Sequence, residues 1–258
     1  MNCHTKAGRS GASYLSRFSI RRFDERQAGR GRKYIRKGGI ELTDKGNFRM
    51  DAILPIRKGY TISRNAGMGK ADTVTYFSMG PHTSISPESY DSASLYLGCW
   101  GKGTFRIGEE GRRKELSAGE MLIVPGGTLC GSETQNGLIY TEIIIKKELN
   151  MNEIVKAGEV FALKELISYE KGSIVNLDIV RNEKMKFFLM AFDEGTGLEP
   201  HRAPGTALIT ALEGNAVVEY EGEEYRLSAG ESFRFEKNGL HSVKADGQYK
   251  MALLLVLE

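Results

Sequence analysis

Cysteine, proline, tryptophan and histidine are all scarce, with three, six, one and four in 258 residues. The thiols Cys3, Cys99 and Cys130 stand in no C-x-x-C spacing and leave an odd one over. That argues against a disulfide framework and a cysteine zinc site, and suits a reducing, cytoplasmic setting. Long apolar runs are missing too. The longest, Met251 to Leu257, falls far short of the ~20 residues of a membrane-spanning helix. With no apolar segment near the N-terminus, neither membrane insertion nor Sec-type export is expected. Few prolines, 27% charged and 40% hydrophobic residues exclude collagen-like, coiled-coil and fully disordered chains. What remains is a globular chain long enough for one large or two medium domains.

The formal charge of +3 is unevenly spread. Residues 1–36 hold ten Lys or Arg against only Asp24 and Glu25, whereas the rest of the chain is net acidic. Eight of the ten are Arg, interleaved with Ser and Gly and without an apolar stripe, so residues 1–45 read as a solvated, disordered basic tail. Weak nucleic-acid contacts through phosphates, an organellar transit segment, or sequence upstream of a start at Met50 are alternatives. The acidic body has no helix-turn-helix or zinc-finger spacing, so no wider nucleic-acid function is expected.

From residue 50 the chain has the period of strands, in runs such as Thr73 to Phe77, Ile139 to Ile145, Lys186 to Phe192 and Met251 to Leu257, with Gly or Asn-Gly turns between them. Only Leu163 to Ile167 reads as a short helix, which excludes parallel βαβ architecture and predicts an all-β fold. The string LSAGE occurs at 116–120 and again at 227–231. Upstream, 85–101 aligns without a gap to 198–214, at an offset two residues larger; the difference falls in a hairpin, where length changes cost little. Two homologous β-domains are predicted, at 50–147 and 160–258.

At these residues the sequence resembles the cupin superfamily, whose motifs have the form G-x5-H-x-H-x3,4-E-x6-G and G-x5-P-x-G-x2-H-x3-N. In the second half Gly195, His201 and Gly214 hold the first motif, with Ala203 and Ala207 at the other two ligand positions. Gly230 and His241 hold the second, with Glu236 and Asn238 where Pro and Gly would stand. In the first half Gly119, Pro125 and Gly127 are in register, Cys130 occupies the second-motif His position and Glu88 the first. The resemblance implies two tandem jelly-roll barrels with degenerate metal motifs.

Cupins with a full ligand set bind Mn, Fe, Ni, Zn or Cu through three imidazoles and a carboxylate. Here the resemblance implies a pocket in the second barrel built on His201 and His241, lined by Thr206 and Glu199, and an accessory pocket in the first barrel with Glu88, Tyr90 and Cys130. A small polar or anionic organic molecule is the expected ligand. Alternatives are a metal-dependent isomerase, hydrolase or dioxygenase with a divalent Mn, Fe, Ni or Zn held by His201 and His241, and a non-catalytic structural or storage protein, in either case compatible with a homo-oligomer.

Overall fold

The computed structural model describes residues 46–68, 74–146 and 148–257; the basic tail expected over 1–45 lies outside them. The first barrel comprises β1 (Thr61–Asn65), β2 (Val74–Met79), β3 (Thr83–Glu88), β4 (Ala93–Ile107), β5 (Arg112–Ser117), β6 (Glu120–Val124), β7 (Cys130–Thr134) and β8 (Leu138–Ile145). Two short strands follow, β9 (Asn150–Met151) and β10 (Val160–Ala162). The second barrel comprises β11 (Ile174–Arg181), β12 (Met185–Phe192), β13 (Gly197–Arg202), β14 (Gly205–Tyr220), β15 (Glu223–Ser228), β16 (Ser232–Phe235) and β17 (Leu240–Leu257). All pairings are antiparallel, in sheet orders β1-β2-β8-β4-β6-β10 and β15-β14-β17-β12-β11-β9, with β3-β7 and β13 closing the barrels. No described helix is long and apolar enough to cross a membrane.

Alternation along the central strands fills three cores. On β8, Leu138 and Tyr140 face the interior of the first barrel with Phe77, Tyr96 and Phe105. Ile139, Ile143 and Ile145 face the other way, into a core shared between the barrels with Phe187, Leu208 and Leu254. The interior of the second barrel holds Ile209, Phe233, Phe235 and Met251. Strands buried on both faces have no solvent side to keep polar, which explains the continuous apolar runs in β8 and β17. A cavity of about 180 Å³ remains between the barrels, lined by Leu97, Cys99, Thr141, Thr210 and Leu254 among others. Its hydroxyl and thiol groups are spent on one another, Thr210 Oγ1 on Ser232 Oγ at 2.9 Å and Cys99 Sγ on Thr141 Oγ1 at 3.4 Å.

The repeated LSAGE strings make the same turn twice. Ser117 N–H donates to Glu120 Oε2 at 2.7 Å, and Ser228 N–H donates to Glu231 Oε2 at 2.8 Å. Gly119 and Gly230 occupy the left-handed region at φ 80° and 86°, where a side chain would be strained. The second-motif turn is also common to both halves. Gly127 has φ 74° and Asn238 has φ 63°; asparagine is among the few residues that tolerate this conformation, so the turn survives the loss of its glycine.

The segments leading into the barrels are exchanged. Phe48, ahead of the first barrel, bridges Ser232 on β16 of the second, with N···O distances of 2.9 and 2.7 Å. β10, ahead of the second barrel, pairs with β6 of the first, Phe161 opposite Met121. Each bridge is followed by a short helical turn: a four-residue helix, Met50–Ile53, and a 3-10 turn, Leu163–Glu165. The latter is shorter than the helix expected over Leu163 to Ile167. The former escapes sequence reading because four residues are too few to show a 3.6-residue period.

Candidate functional site in the two barrels

β13 and β17 lie antiparallel with His201 directly opposite His241. The ladder slips between Leu198 and His201, and the extra residue of that bulge sets the face on which His201 emerges. The imidazole centroids are 4.3 Å apart with the rings tilted by 51°. His241 is buried and stacks on Phe235, centroids 4.1 Å apart and planes 21° from parallel, whereas His201 is exposed at the rim. β13 is an edge strand, so only the ring on β17 is covered by the barrel.

Backbone carbonyls fix both tautomers. His201 Nδ1 lies 2.8 Å from the carbonyl oxygen of Glu199, and His241 Nδ1 lies 3.0 Å from that of Gly239. A carbonyl can only accept, so in the neutral form of each ring Nδ1 carries the hydrogen and Nε2 presents a lone pair. Burial, with a further push from His201, moves the His241 pKa below its ordinary value despite the bond to Gly239.

Two expected pocket residues fall elsewhere. Glu199 is exposed and serves the site through its main-chain oxygen. Thr206 is buried, but by strand alternation it shares a face with Leu208, which belongs to the inter-barrel core, while Ala207 faces the barrel interior. Among the described residues no group of three or more His, Cys, Asp or Glu could hold a metal ion. Two imidazoles supply half of a tetrahedral shell, and Ala203 and Ala207 add no donor, so the residues present do not fit a resident metal.

The first barrel repeats this geometry with different chemistry. Glu88 lies opposite Cys130 across β3 and β7, after a ladder slip at the equivalent place. Cys130 is buried and Glu88 exposed, with Tyr90 half-buried beside them. Burial pushes the Cys130 thiol up to about 11, so it is no ready nucleophile. Behind these three stand residues that the motif comparison misses. Tyr96 on β4 lies opposite Glu142 on β8, and it interacts with both the Glu142 carboxyl and the Cys130 thiol in the sense that favours their ionised forms. Glu142 is 94% buried, and burial, opposed by Tyr96 and reinforced by Glu88, pushes its pKa up to about 7. Tyr96 and Tyr140 are held far above the ordinary phenol value, chiefly by burial. One signal in the sequence could have found the site: Glu142 is the sole charged residue in the run Ile139 to Ile145.

Comparison with known proteins is consistent with this architecture. Residues 188–257 match the family model for the cupin domain. Among solved structures, a cupin 2 conserved barrel domain protein from Leptotrichia buccalis is similar at 25% identity and a TM-score of 0.71, over 81% of this chain and 95% of that one. Salicylate 1,2-dioxygenase from Pseudaminobacter salicylatoxidans shares the fold at 12% identity and a TM-score of 0.56, over 76% of each chain. No curated protein matches. The matched cupin domain on β12 to β17 and the structural likeness over four-fifths of the chain's length together show a cupin domain in the second barrel and a fold similar to that of cupin-barrel proteins.

Proposed function

We infer that this protein binds a small polar organic molecule at the mouth of the second barrel, between His201 and His241. The observation that carries the reading is the orientation of the two rings. Each spends Nδ1–H on its own backbone and keeps an Nε2 lone pair free of any partner among the described residues. Two acceptors on facing rings suit a ligand that brings hydroxyl or N–H donors, and Phe235 beneath His241 gives the site one aromatic wall. An anionic ligand would need protonated imidazoles, which the burial of His241 disfavours.

Chemistry through a metal would need further donors from the ligand or solvent, so no catalytic step is assigned to the pair. Thermal-shift titration with catechol, resorcinol and glycerol tests the reading. At least one should raise the melting temperature of the wild type in proportion to saturation. His201→Ala and His241→Phe, which keeps the ring stacking, should each lose that rise. No rise with any of the three, or a rise unchanged in both variants, counts against it.

A further inference from the structure

The second barrel is an internal control for the first. The ladder pair Tyr96 and Glu142 corresponds to Ile209 and Leu253, and Tyr140 corresponds to Met251, each set lying at the same step of the β4–β8 and β14–β17 ladders. One barrel therefore closes on three apolar side chains where the other keeps two phenols and a carboxyl. The fold does not require Glu142, and burying a carboxyl is unfavourable by itself. Among the described residues neither Glu142 nor Glu88 has an ion-pair partner. A retained buried acid without a counter-charge, where the duplicate has leucine, marks a place that something else completes.

The surroundings define what that is. Phe77 stacks on Tyr140 with centroids 5.0 Å apart, and Tyr96 meets Tyr140 edge-on at 5.9 Å. The groups that interact electrostatically with this cluster are Glu88, Tyr90 and Cys130, all acidic or neutral. Aromatic faces with a carboxylate attract cations and reject anions.

We propose that the first barrel is a separate binding site for a small organic ammonium ion, with Glu142 as its counter-charge, Phe77, Tyr96 and Tyr140 as its aromatic wall, and Glu88 and Tyr90 at its rim. Binding would draw the proton from Glu142, because a cation beside the carboxyl favours the ionised form. The titratable groups facing Glu142 are Tyr96 from β4, Tyr140 from β8, Cys130 from β7, and Glu88 and Tyr90 from β3 and the loop after it. The thiol and phenols keep their protons at neutral pH, which leaves Glu142 as the releasing group.

Isothermal titration of the full chain with choline and with its neutral isostere 3,3-dimethylbutan-1-ol tests the proposal. Choline should bind at least ten-fold more tightly than the alcohol, and at pH 7 its heat should vary between phosphate and Tris buffers in the sense of proton release. Glu142→Gln should weaken choline at least ten-fold and remove the buffer dependence. Glu142→Leu, which installs the residue of the other barrel, should abolish binding with the melting temperature kept or raised, so a folded variant is available in either case. His241→Phe should leave choline affinity unchanged, which separates this site from the one in the second barrel. No heat with choline, equal affinity for the alcohol, wild-type affinity in Glu142→Gln, or loss of choline binding in His241→Phe would each overturn the proposal.

Discussion

Tyr96 and Glu142 are ladder partners on adjacent antiparallel strands, and the phenol favours the ionised form of the carboxyl inside the first barrel. In a strand pair, opposed residues on the non-solvent face have no water to turn to, so each must find its polar partner across the ladder. Tyr96 offsets only part of the desolvation, because the carboxyl remains pushed up to about 7 from an ordinary 4.5.

Stability should therefore depend on pH through Glu142. The folded state holds this proton more tightly than the unfolded chain does, so the stabilisation is complete below about 4.5 and is lost as pH rises through about 7. Relative to Glu142→Gln, the wild type should gain on the order of 3 kcal/mol between pH 8 and pH 4.5. Urea unfolding of both proteins across that range measures the difference; equal pH slopes would show that Glu142 ionises normally.

The two histidines should be distinguishable by tautomer. Long-range proton–nitrogen NMR should find Nδ1 protonated in the neutral form of both rings, with His241 titrating below the ordinary 6.5. An Nε2–H form of either ring would remove the acceptor on which binding in the second barrel depends.

Glycine at position 98 is needed for close approach. A Cβ there would lie 2.0 Å from the carbonyl oxygen of Ser117, and backbone cannot yield cheaply. Gly98→Ala should cost several kcal/mol and lower the melting temperature by roughly 2–4 °C per kcal/mol. The equivalent position in the second barrel is Ala211, so Ala211→Gly should have only a small effect. Calorimetry on both variants would reveal any failure of this asymmetry.

Loss of the turn glutamates should destabilise both halves. Glu120→Ala leaves the Ser117 N–H without its acceptor, and Glu231→Ala does the same for Ser228 while also releasing Asn47 Nδ2, bound at 2.9 Å. About 1–2 kcal/mol each is expected in chemical denaturation. Changes below the error of the measurement would mean that solvent replaces the carboxylate at no cost.

Neither barrel should stand alone. The shared core takes Leu95, Ile123 and Ile143 from one and Phe187, Leu208 and Leu254 from the other, so separated halves would expose a large apolar face. Residues 46–148 and 149–258 expressed apart should aggregate, and expressed together should co-elute. Two soluble monomers with no mutual affinity would contradict this packing.

The duplication and the motif positions were legible in the sequence because they are written in glycines and in an exact pentapeptide, features that depend on local turn geometry. The opposition of His201 to His241 and of Glu88 to Cys130 follows from the same spacing. Thr206 illustrates the limit: one step along a strand reverses the face, and motif spacing alone does not say which parity looks inward. Glu142 was hidden for a different reason. It lies outside both motifs, in a run that reads as plain core, and its significance emerges only when β4 and β8 are laid side by side.

The bridge between Phe48 and Ser232 spans 184 positions of chain, as do their neighbours Asn47 and Glu231. A ribosome emits Phe48 long before its partner strand exists, so the leading segment has to wait, unpaired, until β16 has been made. β10 faces no such delay, because β6 is already made when it appears. Synthesis thus breaks the equivalence of the two exchanged arms, since β10 meets a strand already made and the Phe48 arm must wait for one still to come. Closure at such separation is slow relative to local pairing, which makes the Phe48 arm the later of the two to close.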